Sequence, residues 1–173
     1  MSEDVRQSRR SLIGFAVALI LGALLAIVMT QGGTLVETGQ DAPGFELSGV
    51  DDERVSLESL RGKVVLLDFW ATTCPPCLRQ MADLQTVHER MSPRDVAVLG
   101  INTDGSSAAR IRDFTRSRGA RYPMLLDPGQ VSERYRVTQL PTLYVIDRQG
   151  TVRWSHVGHV GHEELEAVIR GLL

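Results

Sequence analysis

The stretch KVVLLDFWATTCPPCLRQMADLQTVHERM, residues 63–91, holds both cysteines of the chain. Lys63 to Trp70 is a near-continuous apolar run, the pattern of a strand buried on both faces of a sheet. From Cys77 the period changes. Leu78, Met81, Leu84, Val87 and Met91 fall on one helical stripe. A buried strand therefore runs directly into Cys74-Pro75-Pro76-Cys77, and that segment opens a helix.

The same patterns continue on either side. Phe45–Leu47 and Arg54–Leu57 are short alternating runs around a turn, a small hairpin ahead of the strand. Val96–Ile101 reads as a second buried strand and Ser107–Arg118 as an amphipathic helix with Ile111 and Phe114 inward. Tyr122–Leu126 reads as a short strand, and Val131–Tyr135 as one or two helical turns. Thr142–Asp147 and Thr151–Val157 form a hairpin about Arg148-Gln149-Gly150, and Glu163–Leu173 a final helix with Leu165, Val168, Ile169 and Leu172 inward. Strands alternating with helices predict an α/β domain with a mixed sheet covered on both faces.

The first 33 residues speak to compartment. Leu12 to Met29 is 18 residues without a charge. As a helix it spans ~27 Å, close to the hydrocarbon core of a bilayer. Arg6, Arg9 and Arg10 precede it, and the dozen residues that follow carry no Lys or Arg. The positive-inside rule puts the N-terminus in the cytoplasm and residues 34–173 on the periplasmic or outer face. The expected division is a tail at 1–11, a single transmembrane signal-anchor at 12–32, a polar Gly/Pro linker at 33–43 and a domain at 44–173. The rival readings are a cleaved signal peptide or a twin-arginine signal. The apolar run is long for the first, and no A-x-A pattern follows it. All of these readings lead to an oxidising compartment, where disulfides persist.

The formal net charge is −2, and there is no basic stripe of the kind that binds nucleic acid. Lys63 is the only lysine, and the scattered arginines read as coding bias. The cysteine pair has four readings. A staple closing so short a loop barely constrains the unfolded chain. Zinc needs two more ligands. The run His156-Val157-Gly158-His159-Val160-Gly161-His162 offers imidazoles, but it lies about 80 residues away. Covalent haem attachment needs a histidine where Leu78 stands. A redox pair fits best. At a helix N-terminus the unpaired N–H groups and the helix dipole stabilise a Cys74 thiolate. Cys77, one turn on, is shielded and placed to resolve a mixed disulfide. Proline suits the first helical turn.

These residues resemble a known group. The segment KVVLLDFWATTCPPC looks like the active-site segment of thioredoxin-fold proteins. The chain from Ala42-Pro43-Gly44-Phe45 to the last helix resembles the membrane-anchored extracytoplasmic thiol–disulfide oxidoreductases of the ResA, TlpA and CcmG group. The match includes Gly100-Ile101-Asn102, Tyr122-Pro123-Met124-Leu125-Leu126-Asp127 and Leu140-Pro141-Thr142-Leu143-Tyr144. The resemblance implies a thioredoxin fold with a helix-and-strand insert at 103–130, and an enzyme needing no metal or cofactor. It makes Cys74 the nucleophile and Cys77 the resolving cysteine. Pro141 becomes a cis-proline facing the pair, and the Leu140 backbone pairs with an extended client. Thr142, Thr73, Pro75 and Pro76 surround that surface, and Trp70 borders it with packing beside the site as its main role and shaping the cysteine environment as its second. Asp68, six residues before Cys74, becomes a buried acid that takes the Cys77 proton. The implied partners are disulfides of exported proteins, apocytochrome c first among them, and a membrane electron donor protein.

Three residues depart from the group's pattern. Thr73 replaces a tryptophan, Gln80 a glutamate, and Ala82 a helix-kinking proline. Two other classes stay open: a thiol peroxidase of peroxiredoxin type, and a non-catalytic anchored binding module. Against the peroxidase stands Ala71, where such a site needs threonine. Against the binding module stands the intact cysteine pair.

Overall fold

The computed structural model of the protein describes Ile20 and residues 35–173. The expected tail and nearly all of the expected transmembrane helix lie outside the described residues. Among the described residues, no helix is long and apolar enough to cross a membrane.

A seven-stranded mixed sheet organises the domain, in the order β2-β1-β5-β4-β3-β6-β7. The strands are β1 (Glu46–Gly49), β2 (Arg54–Ser56), β3 (Val64–Trp70), β4 (Val96–Asn102), β5 (Met124–Leu126), β6 (Thr142–Ile146) and β7 (Val152–Val157). The helices are α1 (Pro75–Met91), α2 (Ala108–Arg116), α3 (Gln130–Arg134) and α4 (His162–Arg170). β3 runs parallel to β4, and β4 to β5, while β6 is antiparallel to β3. The carboxyl ends of β3, β4 and β5 thus share one edge with the start of β6.

All seven residues of β3 are buried, and the alternation of its side chains onto two covered faces explains why the run is apolar but for Asp68. Val64, Leu66 and Trp70 face a core built with Met81, Leu84 and Val87 of α1, Ile111 of α2, and Leu165 and Ile169 of α4. Val65, Leu67 and Phe69 face the other side, against Tyr144, Tyr135, Val131 of α3, and Phe45 and Leu57 of the N-terminal segment. The sheet is therefore covered unequally. Among the described residues, three helices lie on one face, and on the other the five-residue α3, a 3-10 turn at Glu58–Leu60 and irregular chain.

Two expectations need correction. Leu78 was assigned to the buried stripe of α1, but it is only half-buried, and Gln80 lies inside instead. An apolar periodicity count passes over a polar residue whose amide is satisfied internally. Residues 35–42, expected as linker, lie against the domain. Val36 is buried, Gly39 N–H donates to Val152 O (2.7 Å), and Ala42 N–H donates to Gly150 O (2.9 Å). The β6–β7 turn is as the sequence predicts. Gly150 has φ +86°, and the Asp147 carboxylate accepts from Gln149 N–H (3.0 Å) and Thr151 N–H (2.9 Å).

Candidate active site

β3 ends at Trp70, and after four intervening residues α1 begins at Pro75. Cys74 is the N-cap, with extended backbone, and its Sγ accepts from Cys77 N–H at 3.3 Å. Pro75 and Pro76 fill first-turn positions whose N–H groups have no helical partner, so they cost no hydrogen bond. Cys74 and Cys77 are joined by a disulfide, with Cα atoms 5.3 Å apart. Cys77 is fully buried and Cys74 partly exposed, beside exposed Thr73 and Pro75. Only one sulfur of the pair can be reached from outside.

The start of β6 lies beside this junction, because Phe69 is in register with Thr142. The Leu140–Pro141 peptide is cis. Leu140 is half-buried, and Pro141 O accepts from Gly158 N–H (2.8 Å). Thr142, placed on the client surface by the resemblance, lies beneath it, and Trp70 packs beside the site without reaching that surface. Trp70 is fully buried and stacks on Phe114, centroids 5.9 Å apart. Thr142 is fully buried, and its hydroxyl donates to Gln139 O (2.7 Å). Both support the site from beneath. Burial at the end of a central strand follows from strand alternation, which a motif alone does not reveal.

Asp68 shares the face of Leu66 and Trp70, the side on which Cys77 packs. It is fully buried, and neither carboxyl oxygen has a hydrogen-bond partner. Burial pushes its pKa up to about 8. Its β4 neighbour is Gly100. A Cβ there would lie 2.5 Å from Met124 Sδ, 3.1 Å from Trp70 Nε1 and 3.2 Å from Tyr122 Cε2. Gly100 is thus what allows those side chains to close over the strand next to Asp68. The buried Tyr122 hydroxyl is also unpaired, and burial, then the Asp68 charge, holds it well above the ordinary phenol range.

Sequence reasoning missed the struts of the site. The Asp104 carboxylate accepts from Thr72 N–H (2.7 Å), Thr72 Oγ1 (2.7 Å) and Ser106 N–H (3.0 Å). Partial burial pushes its pKa up, but the Thr72 and Ser106 bonds together outweigh that and hold it far below the usual carboxylate range. The loop after β4 therefore pins the residues leading to Cys74. On α1, Gln80 bonds the backbone of Val160, and Asp83 bonds His159 and His162. The histidines singled out in the sequence thus engage Asp83 and not the cysteines, while His156 stacks on Trp154. Among the described residues no group of three or more His, Cys, Asp or Glu is arranged to hold a metal ion.

An accessible sulfur, a buried resolving sulfur and a helix N-terminus make a centre that exchanges thiols with disulfides. The chain is similar to several known proteins. ResA of Bacillus subtilis, a thiol–disulfide oxidoreductase, is 30% identical over 153 residues, covering 86% of this chain and 85% of its own. The thioredoxin-like protein YneN of the same organism is 32% identical over 133 residues, covering 76% and 78%. The crystal structure of a putative thiol:disulfide interchange protein DsbE from Chlorobium tepidum superposes with a TM-score of 0.73. It is 31% identical and covers 79% of this chain and 98% of its own. The model of the AhpC/TSA family matches residues 38–155. The chain belongs to the AhpC/TSA family, within its ResA/TlpA/CcmG group, and is a thioredoxin-fold thiol–disulfide oxidoreductase whose working pair is Cys74 and Cys77.

Proposed function

We propose that the protein is anchored in the cell membrane by residues 12–32, with its domain outside, and that it reduces disulfides of exported proteins. The observation that carries the redox role is the unequal burial of the two sulfurs above a buried carboxyl group. The anchor rests on the uncharged run after three arginines, and the direction of exchange on the resemblance to the group. Apocytochrome c is the favoured client.

In the reduced protein the Cys74 thiolate attacks one sulfur of a client disulfide. The S–S bond breaks, one client sulfur leaves as thiolate, and Cys74 is held in a mixed disulfide. The share of Asp68 that is ionised takes the Cys77 proton, and Cys77 attacks Cys74 Sγ. The second client sulfur leaves, and the Cys74–Cys77 bond forms. Two electrons pass to the client, and the pair is oxidised. A carboxyl pushed up to about 8 lies near the pKa of a thiol, so the proton moves with little free-energy difference. A membrane electron donor protein returns the pair to the dithiol. The cis-Pro141 segment offers Leu140 backbone to an extended client strand.

Equilibrating the domain against glutathione tests the direction. A potential well below that of an oxidant supports reduction of clients, and one near −120 mV overturns it. In native membranes, Cys77→Ser should trap the client as a mixed disulfide on Cys74. Rapid peroxide turnover dependent on Cys74 would replace this reading by a peroxidase.

A further inference from the structure

Helix α1 carries Cys77, Gln80 and Asp83 at steps of three, one above another on a single face. Gln80 is fully buried. Its Nε2 donates to Val160 O (3.0 Å), and its Oε1 accepts from Val160 N–H (2.8 Å). A turn later, Asp83 accepts from His162 N–H (3.1 Å), His162 Nδ1 (3.0 Å) and His159 Nε2 (2.8 Å). Partial burial raises the Asp83 pKa, but those bonds together outweigh it and keep it below the ordinary range. The carboxylate is therefore an acceptor, and the ring nitrogens donate. Gly158 stands at the start of the segment so gripped, and its N–H donates to Pro141 O at 2.8 Å. A hydrogen-bonded path thus leads from the redox helix, through residues 158–162, to the carbonyl of the cis-proline. Nothing in the packing of apolar side chains requires it.

We propose that Gln80 and Asp83 are positioning residues of the redox site: by clasping residues 158–162 they fix the Leu140–Pro141 edge relative to Cys74, and so determine how well an extended polypeptide disulfide is held. The proposal rests on the reading that this edge receives the client. The side chain at 80 matters because an amide supplies one donor and one acceptor, the pair that Val160 requires. A carboxylate supplies acceptors only and would set two lone-pair groups, its own and that of Val160 O, against each other. A protonated carboxyl, with one O–H and one C=O, reproduces the amide pattern. Gln80→Glu should therefore convert a clasp that is closed at every pH into one that opens as the carboxyl ionises.

The test uses the full chain and two substrates: insulin, whose disulfides lie in a polypeptide, and hydroxyethyl disulfide, which has no backbone to pair. The readout is the ratio of their second-order rate constants. Gln80→Ala should lower that ratio about tenfold, through KM for insulin and not kcat. Asp83→Asn should lower it about threefold, because the amide oxygen in the place of Oδ1 still accepts from His162 while the bond to His159 is lost. Gln80→Glu should match the wild type in mild acid and lose about tenfold by mildly alkaline pH. Asp83, His159 and His162 border the clasp, and Asp68 lies on the strand beneath α1. A wild-type profile run in parallel accounts for these neighbouring charged groups. If Gln80→Ala does not fold, Gln80→Glu still gives the answer on one preparation by a reversible pH change. An unchanged ratio in folded Gln80→Ala, or a Gln80→Glu profile parallel to the wild type, overturns the proposal. Leu140→Pro removes the backbone N–H of the edge itself. If it leaves the ratio intact, the edge reading fails. If it lowers the ratio while the Gln80 variants do not, the clasp alone fails.

Discussion

Asp68 has neither a hydrogen-bond donor nor solvent to support a charge, so it keeps its proton in the folded protein to about pH 8. In the unfolded chain it loses that proton near 3.8. Between these values the unfolded state binds fewer protons, and stability falls as pH rises. The contribution is complete below about pH 4 and gone above about pH 8. Asp68→Asn should flatten this slope, as denaturant unfolding at a series of pH values will show. The same variant should slow resolution by about a hundredfold and accumulate mixed disulfide, visible by quenched-reaction mass spectrometry. Asp68 was legible in the sequence because Leu66, Leu67 and Phe69 leave no room for an exposed neighbour. Gln80 and Asp83 were not, since their partners lie 76 to 80 residues away.

At the scale of elements, the β3–α1 junction carries the chemistry, and the loop after β4 braces it. In the reduced protein the helix N-terminus and Cys77 N–H should bring the Cys74 thiolate below the pKa of a free cysteine, measurable by ultraviolet absorbance of the thiolate. Asp104→Ala removes the acceptor for Thr72 and Ser106. After solvent screening this should cost about 1 kcal/mol of stability. Because the Asp104 carboxyl is held below its ordinary value, its contribution is present above the usual carboxylate range and lost as pH falls from there through the carboxyl's own depressed value. Wild-type and variant unfolding curves should therefore converge in acid. The long elements were legible from their periods: β3, β4, β6, β7 and α1 lie where the pattern puts them, within a residue or two at each end, and α4 ends three residues short of the expected Leu173. Which strand pairs with which was less so. β1 lies between β2 and β5, and the latter partner is more than 70 residues on.

The whole chain adds a prediction about place. The full protein should sediment with membranes and remain there after alkaline extraction, and reversing the charge of Arg6, Arg9 and Arg10 should disturb its orientation. A soluble, fully extracted protein would remove the anchor from the proposal while leaving the redox centre intact. The unequal cover of the sheet is the feature least accessible to a linear reading. Apolar strands announce that both faces are buried, but not that one of them is buried mostly by chain outside the long helices.

The docking of residues 35–42 has a consequence for biogenesis. Val36 N–H is bound by the Tyr144 hydroxyl, 108 positions later, and Gln40 O accepts from Val152 N–H at 2.9 Å. A chain made amino end first cannot seat its opening segment until the last hairpin has emerged. At ordinary ribosomal speed that interval is roughly 5–20 s. During it the early strands wait with open edges, and the cysteine pair is already outside the ribosome well before β6 arrives to flank it. The nascent domain thus depends on its final third for closure, and a chain cut short before Thr142 should be held by chaperones or degraded instead of accumulating as a partly folded oxidoreductase.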